Sequence, residues 1–324
     1  MGTAVIVAHS DDLHAHAVKV ATEQLGGNAY ILDVQEFTSS YDLLATVGKG
    51  GFDLQVLDRR GAAESLQLAD IAGLWWRRTA YPISISNERA KTSAERSKTS
   101  PLSVAHTERQ VAITGTLHGL VANSFNDPGK SLLAAYKPAQ LTRAQALGLR
   151  VPETLITNDP VAVKNFHERM GGETIYKMFH SPRVGIYPTR RLRTEDLESI
   201  DRLITCPAIF QERIRGEFDI RATVVGDRVF AARIIFDPLE DVTDTRFVET
   251  EVTPWTLPAD VEEALIQMVA DFGLVYSAVD MRYSDDLGYV FFESNPEGQY
   301  LWLEIEANLE ISHAIASRLL RKNC

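Results

Sequence analysis

Residues 276–304 read YSAVDMRYSDDLGYVFFESNPEGQYLWLE, and the rest of the chain is best read outward from them. Two β-rich runs, Tyr276 to Arg282 and Tyr289 to Asn295, flank a loose turn at Ser284 to Gly288. Alternate residues of a strand share one face, so Glu293 and Asn295 project together, and a hairpin of this length brings Asp280 opposite them. Two carboxylates and an amide oxygen form a hard-oxygen set suited to Mg²⁺, which takes few protein ligands and completes its shell with substrate phosphates. Solvated charges at a strand end explain the spacing about equally well.

A second set lies upstream in GEFDIRATVVG at 216–226, where Asp219 and Arg221 share a strand face among residues that want burial. The ordinary reading is a structural ion pair. The functional one places the planar Arg221 fork on phosphate oxygens, which a lysine would hold less well. Two lysines form a third set. Lys177 interrupts the apolar strand TIYKMF, and Lys137 opens a helix in AAYKPAQLTRAQALGL. A lysine in a buried strand is costly unless it meets an anion, although snorkelling to solvent is the common solution. Gln211 and Glu212, ending the strand AIFQE, offer partners to a planar base edge.

Composition sets the limits. The 324 residues, at ~150 per domain, suggest roughly two structural units. Hydrophobic residues make up 45% and charged residues 24%, which fits a folded globular chain. A net charge of −11 argues against a nucleic-acid partner bound along the whole surface. Cys206 and Cys324 lack ligand spacing, so neither a disulfide framework nor a zinc site is expected. MGTAVIVAHSDD reads as a first strand, and no apolar run approaches the ~18 residues of a membrane span. A cytoplasmic protein without a membrane partner is expected. The first strand is followed by AHSDDLHAH, with no GxGxxG, and no GxxxxGK[ST] occurs, so P-loop and dinucleotide readings fail. His14 and His16 read as solvated residues at a helix start.

Residues 3–80 alternate β-rich runs with a helical pattern over His14 to Leu25, which predicts a small α/β domain with a largely parallel sheet. Asp53 to Leu57 and Ser65 to Leu68 read as a hairpin, and Ser84 to Ser103 as a surface loop. A helix is expected from Pro101. Residues 131–205 read helix (Ala139 to Leu147), strand (Glu153 to Ile156), helix (Pro160 to Met170), strand (Thr174 to Met178), helix (Glu195 to Leu203). Further on, strands are expected at Ala208 to Arg213, Asp219 to Val225 and Val229 to Ile235, with a tight turn at Gly226-Asp227. Helices are expected at Ala259 to Phe272 and Ser312 to Leu320.

Taken in order, Lys137, GLRVPETLITN at 148–158, Lys177, FQERIRGEFDIRATVVG, VDM and FFESNPEGQYLWLE resemble the ATP-grasp superfamily. More narrowly, with WWRR at 75–78 and NPEGQYLWLE at 295–304, the chain is similar over essentially its whole length to the microviridin-type ligases, the graspetide (omega-ester peptide) synthetases. Ribosomal protein glutamate ligases and glutathione synthetases share the core without those two features. The resemblance implies an α/β and α+β architecture: a pre-ATP-grasp domain at 1–125, a central α+β domain at 126–205 and a C-terminal ATP-grasp domain at 206–324. It implies ATP and Mg²⁺ as cofactors, with Lys137 and Lys177 on the phosphates, Gln211, Glu212 and the Ile214 backbone near the adenine, and Asp219 near the ribose or phosphates. Asp280, Glu293 and Asn295 would hold Mg²⁺, while Arg221 and Arg246 would stabilise the transferred phosphoryl group. A ribosomally synthesised precursor peptide with a leader, and a homodimer, are the partners implied. The basic segment MFHSPRVGIYPTRRLR, the acidic loop 237–251 and the Ser84 to Ser103 loop depart from the family pattern.

The activity so implied is ATP-dependent activation of Asp or Glu side chains of the precursor as acylphosphates, followed by intramolecular ester or amide formation. Two other readings stand beside it: a glutamate-ligase-like enzyme adding a free amino acid to a peptide carboxylate, and a non-catalytic ATP-binding module.

Overall fold

The structure is a computed structural model that describes residues 2–33, 36, 40–49, 51–60, 65–78, 101–118, 121, 123–179, 188–236 and 250–320. Arg246 lies outside the described residues, as do most of the Ser84 to Ser103 loop and of the acidic 237–251 loop.

The amino-terminal part is built on four parallel strands ordered β2-β1-β6-β7: β1 (Thr3–Val7), β2 (Asn28–Leu32), β6 (Ile71–Trp76) and β7 (Ser124–Phe125). The largely parallel sheet expected from the β-α-β alternation is present. Between β1 and β2 runs α1 (Leu13–Gln24), whose start is fixed by the Asp12 carboxylate accepting the His14 and Ala15 N–H groups at 2.8 and 3.2 Å. A second sheet, antiparallel, orders β3 (Tyr41–Gly48), β4 (Gly51–Asp58) and β5 (Ser65–Gln67). The expected hairpin corresponds to β4 and β5. The β3 strand was not anticipated, because most of YDLLATVG faces solvent and its apolar residues do not alternate. The helix expected from Pro101 is α2 (Pro101–His118).

The central part is an antiparallel sheet ordered β10-β9-β11-β8, made of β8 (Thr154–Thr157), β9 (Thr174–Lys177), β10 (Arg190–Arg191) and β11 (Ala208–Glu212). Before it come α3 (Pro128–Ala134) and α4 (Lys137–Ala146), and α5 (Pro160–Arg169) buries Val163 and Phe166 with Phe210 of the sheet. The single helix expected at Glu195 to Leu203 is instead a short α6 (Thr194–Glu198) followed by a 3-10 turn, Ile200–Thr205. Leu197, Ile200 and Leu203 pack against the small core of Val163, Phe166, Leu192 and Phe210, but none of them is fully buried.

The third part is a five-stranded antiparallel sheet ordered β14-β13-β12-β15-β16. Its members are β12 (Phe218–Val225), β13 (Arg228–Ile235), β14 (Glu251–Trp255), β15 (Tyr276–Ser284) and β16 (Gly288–Asn295). The β12–β13 turn uses Gly226 at φ 63°, a left-handed conformation that glycine adopts without strain. Strand β14 was hidden in the sequence by Pro254, which lacks an N–H to donate and is tolerated because β14 is an edge strand. The helix α7 (Ala259–Asp271) buries Leu265, Met268 and Val269 against β12, β13 and β15.

Two further helices close the chain, α8 (Leu301–Glu306) and α9 (Ile311–Leu320). The latter returns to the first sheet: Ile311, Ile315 and Leu319 share a core with Ala4, Ile6, Val18 and Trp75. Tyr276 and Tyr300 are fully buried in the same core. The end of β6 and the segment after β16 are thereby held side by side, which brings WWRR next to NPEGQ.

Candidate active site

The site is organised by register. Across β12, β15 and β16, Arg221 stands opposite Asp280, and Asp280 stands opposite Glu293. One step along, Asp219 stands opposite Arg282. The expected Asp219–Arg221 pair along one strand does not form, because each finds a nearer partner across the sheet. Arg221 Nη1 donates to Asp280 Oδ1 at 2.6 Å, and Arg282 donates through Nε and Nη2 to both Asp219 oxygens at 2.6 and 3.1 Å. Directly opposite residues lie closer than i, i+2 neighbours, so the cross-strand pairings win.

Two contacts fix Glu293. A bulge after Asp280 places Met281 opposite Phe291 and leaves Phe292 as the extra residue, so the end of β16 is re-aimed just where Glu293 and Asn295 emerge. On the other side, α4 presents Lys137 and Gln140, three residues apart and so on one helix face. Gln140 is 2% exposed and grips the strand backbone: its Nε2 donates to the Ser294 carbonyl at 2.6 Å and its Oε1 accepts the Ser294 N–H at 3.0 Å. Lys137 Nζ, one turn earlier, bonds Glu293 Oε2. Sequence reading missed Gln140, whose fully buried amide only the packing reveals.

All ten described residues expected from the sequence line one cavity of about 730 Å³: Lys137, Lys177, Gln211, Glu212, Ile214, Asp219, Arg221, Asp280, Glu293 and Asn295. Six cationic side chains and five carboxylates line it, in a chain whose net charge is −11. Cations are therefore concentrated here, as an anionic ligand requires.

Strand geometry gives the cavity an axis. Ala278, Asp280 and Arg282 share one face of β15, so its ends lie roughly 13 Å apart at ~3.3 Å per residue. At the Arg282 end, Arg282 Nη1 donates to the Ile214 carbonyl at 2.9 Å. Gln211 Nε2 donates to Thr154 Oγ1 at 2.9 Å, and Glu212 accepts the Glu153 N–H at 3.2 Å. In the middle stand Arg221, Asp280, Glu293, Lys137 and Lys177. At the Ala278 end, the segment 296–299 closes over the sheet, and Arg221 Nη2 donates to the Gln299 carbonyl at 2.9 Å. Gly298 passes so close that a Cβ there would sit 2.4 Å from Ala278 Cβ and 3.0 Å from Arg221 Nη2.

The charges are not at their solution values. Burial pushes the Asp280 carboxyl up, and the nearby Glu293 carboxylate adds to this against the pull of Arg221. Burial works against Glu293 as well, but the Lys137 and Lys177 ammoniums outweigh it and hold that carboxyl below the usual Glu range. Lys177 is pushed down to about 8, chiefly by burial, with Lys137 repelling it and Glu293 attracting it. Its ammonium makes no hydrogen bond or ion pair within 4 Å among the described residues. Arg221 Nε is likewise buried without a partner.

His14 corrects another expectation. It is not solvated: its Nε2 accepts the Tyr300 N–H at 3.2 Å and its ring meets Tyr300 edge-on. Its neighbour Asp12 also approaches Arg77 Nε at 3.6 Å.

A family profile described as the MvdD pre-ATP grasp domain matches residues 3–130. Among solved structures, the macrocyclase MdnC bound with precursor peptide MdnA from Microcystis aeruginosa MRC is 30% identical, over 98% of this chain and 99% of that one, with a TM-score of 0.82. A RiPP-associated ATP-grasp ligase from Chryseobacterium gregarium, in complex with ADP and a leader and core peptide, is 25% identical over 100% and 98% of the two chains, with a TM-score of 0.82. The ATP-grasp ligase PsnB, complexed with a phosphomimetic variant of a minimal precursor, Mg and ADP, is 27% identical over 98% and 97%, with a TM-score of 0.72. No curated protein matches the chain. An amino-terminal parallel sheet followed by two antiparallel sheets that enclose the cavity is thus a pre-ATP-grasp domain joined to an ATP-grasp fold. Within that superfamily, the chain belongs to the RiPP ATP-grasp macrocyclases.

Proposed function

We propose that this protein is an ATP-dependent ligase that activates Asp or Glu side chains of a ribosomally made precursor peptide and closes them onto a hydroxyl or amine of the same peptide. The observation that supports it best is the cross-strand row Arg221–Asp280–Glu293, flanked by Lys137 and Lys177 in one cavity. The relatives bound to ADP, Mg and precursor peptides support the cofactors and the substrate class.

The residues present suit a nucleotide. Lys177 and the Arg221 Nε are buried cationic donors without partners among the described residues, a costly arrangement that an anion offsets. The adenine would lie at the Ile214 and Gln211 end, and the transferable phosphate beside Arg221. The donor set also suits Mg²⁺. Among the described residues, no three His, Cys, Asp or Glu side chains gather as a metal site. Asp280, Glu293 and Asn295 would therefore share the ion with phosphate oxygens, as Mg²⁺ tolerates. When bound, Mg²⁺ would neutralise phosphate charge and orient the chain for transfer.

The protein's own groups have defined tasks. Lys137, now on Glu293, and Lys177 would take the phosphates. Arg221, held between Asp280 and the Gln299 carbonyl, would face the oxygens that gain charge as the phosphoryl group moves to a carboxylate. A free carboxylate is unreactive to acyl transfer, and phosphorylation supplies the leaving group. The enclosing sheets would keep water from the activated acyl group. Incubation with ATP, Mg²⁺ and the precursor should lower the peptide mass by ~18 Da per ring. A gain of one residue mass, or no change, would sink this reading.

A further inference from the structure

The second and third parts of the chain supply nearly all of the cavity lining. Among the described residues lining the cavity, one comes from the first 125: Arg78. It sits at the end of β6, in WWRR, and its backbone N–H donates to the Val7 carbonyl at 3.2 Å, as does that of Arg77 at 3.0 Å. The two arginines then diverge. Arg77 is 1% exposed, and its Nη1 donates to the carbonyls of Glu297 and Gly298 at 2.6 and 3.2 Å. Tyr276 Oη donates to the same Gly298 carbonyl at 2.7 Å. Arg77 thus fastens β6 to the 296–299 segment through Nη1, while its Nε and Nη2 are buried without a hydrogen-bond partner among the described residues and it does not line the cavity.

Arg78 is left over. Arg78 lines the cavity, half-buried, and its guanidinium makes no hydrogen bond or ion pair among the described residues. It stands near Glu297, which feels its charge, but the two do not approach within 4 Å. Glu297 follows Asn295, whose Oδ1 accepts the Glu297 N–H at 3.0 Å, and it precedes Gly298, which packs on Ala278. Arg78 therefore belongs to the Ala278 end of the axis, beyond Arg221 and opposite the Ile214 end. Gln299, whose carbonyl Arg221 holds, lines the cavity there as well.

We propose that Arg78 is the anchor for the substrate carboxylate that receives the phosphoryl group. The inference rests on the ligase reading and deepens it. A ligand that lies along the axis with its base at Ile214 ends its phosphates near Arg221, so the accepting carboxylate must approach from the Ala278 end. A planar guanidinium with free donors matches the two oxygens of a carboxylate, and a rigid strand end presents it. The incoming oxygen attacks phosphorus, the bond to ADP breaks, and the leaving electron pair stays on ADP. Arg78 holds the other carboxylate oxygen and keeps its proton throughout. The first domain would then supply substrate recognition to a nucleotide site built by the other two.

The probe is N-acetylglutamate methylamide, a single side-chain carboxylate without leader or ring. Its binding to the protein loaded with AMPPNP and Mg²⁺ is followed by calorimetry or ligand-observed NMR. The proposal expects Arg78→Met to weaken the probe at least tenfold and Arg78→Lys to weaken it less, with AMPPNP affinity unchanged in both. It also expects N-acetylglutamine methylamide to bind the wild type no better than it binds Arg78→Met. Equal affinity in wild type and Arg78→Met, the absence of any Arg78-dependent binding, or equal binding of the glutamine analogue would overturn it. Failure of the ligase reading is separate: Arg78-dependent binding of the carboxylate would persist, but ATP and the precursor would yield neither ADP nor a lighter peptide.

Discussion

Asp280 and Glu293 are directly opposed on adjacent antiparallel strands, at the last paired position before the bulge at Phe292. Two like charges so placed repel, yet each carries a cation: Arg221 on Asp280 and Lys137 on Glu293. The two cations come from separate elements, β12 and α4. A nucleotide's phosphates would draw Lys137 off Glu293, leaving that carboxylate to share a divalent cation, while Arg221 stays on Asp280.

The first prediction tests that exchange. Glu293→Ala and Asn295→Ala should abolish precursor-dependent ADP release, with melting temperatures within a few degrees of wild type. Each truncation removes a metal-ligating oxygen and few apolar contacts, and the modest melting shift comes from the Lys137 ammonium and the Glu297 N–H that lose an acceptor. Near-normal turnover in either variant would remove these residues from the metal set.

Lys177 gives a pH prediction with a definite sign. Its free-state value lies near 8, below the ordinary 10.5, so the folded chain loses this proton first. Bound phosphate would favour the charged form, so binding takes up a proton above pH 8. Nucleotide affinity should therefore be flat below pH 8 and weaken above it, by at most tenfold per pH unit. The stability term runs the other way: between about 8 and 10.5 the unfolded chain binds more protons, so this group makes folding more favourable as pH rises. Lys177→Met should weaken ATP and abolish the pH dependence above 8. Calorimetry that shows the same slope in both proteins would place Lys177 outside the phosphate site.

Gly298→Ala is expected to damage catalysis through packing. The added methyl would meet Ala278 Cβ at 2.4 Å and Arg221 Nη2 at 3.0 Å. Both neighbours are held on a central sheet, so the segment 296–299 must shift and release the Gln299 carbonyl from Arg221. Overpacking of this kind costs about 1–3 kcal/mol. Thermal melting should show the loss, and ADP release should fall more than the melting shift alone explains. Unaltered activity would mean that the Gln299 contact does not position Arg221.

The site was legible in the sequence where chemistry-bearing residues sit at strand spacing. Asp280, Glu293 and Asn295 could be placed near one another because one hairpin joins their strands, but its simplest register sets Asp280 opposite Phe292, and only the bulge there brings Glu293 opposite Asp280. Lys177 stood out as a cation in an apolar run. What was not legible depends on neighbours remote in sequence. Asp219 and Arg221 look like a pair at i, i+2, and only the register of β15 shows that Arg282 and Asp280 intervene. Gln140, Arg77 and Asn126 are ordinary polar residues until burial forces their hydrogen bonds onto backbone. Asn126, for instance, is 1% exposed and bonds the carbonyls of Tyr276 and Pro296, each at 2.8 Å. No local pattern announces such clamps. The packing of α9 onto the first sheet is similarly a property of a long-range core.

Arg221 carries the last prediction. It is bound on two sides, by the Asp280 carboxylate at 2.6 Å and the Gln299 carbonyl at 2.9 Å, and its Nε has no partner. Burial alone would lower its proton affinity, and the Asp280 carboxylate more than restores it, so Arg221 stays charged. Replacement by Lys keeps the charge beside Asp280, so no buried acid is left bare, but a lysine cannot reach the acid, the carbonyl and a phosphoryl oxygen at once. If the pair with Asp280 is the whole purpose of Arg221, Arg221→Lys should melt earlier and retain its specific activity. If Arg221 also faces the moving phosphoryl group, the rate should drop on the order of 10²-fold, as when a preorganised oxyanion donor is removed. The expected result is near-normal ATP binding by calorimetry, a modest shift in melting temperature, and ADP release slowed by about two orders of magnitude. The opposite pattern, early melting with full specific activity, would assign Arg221 to the scaffold and move the transfer role to Arg246.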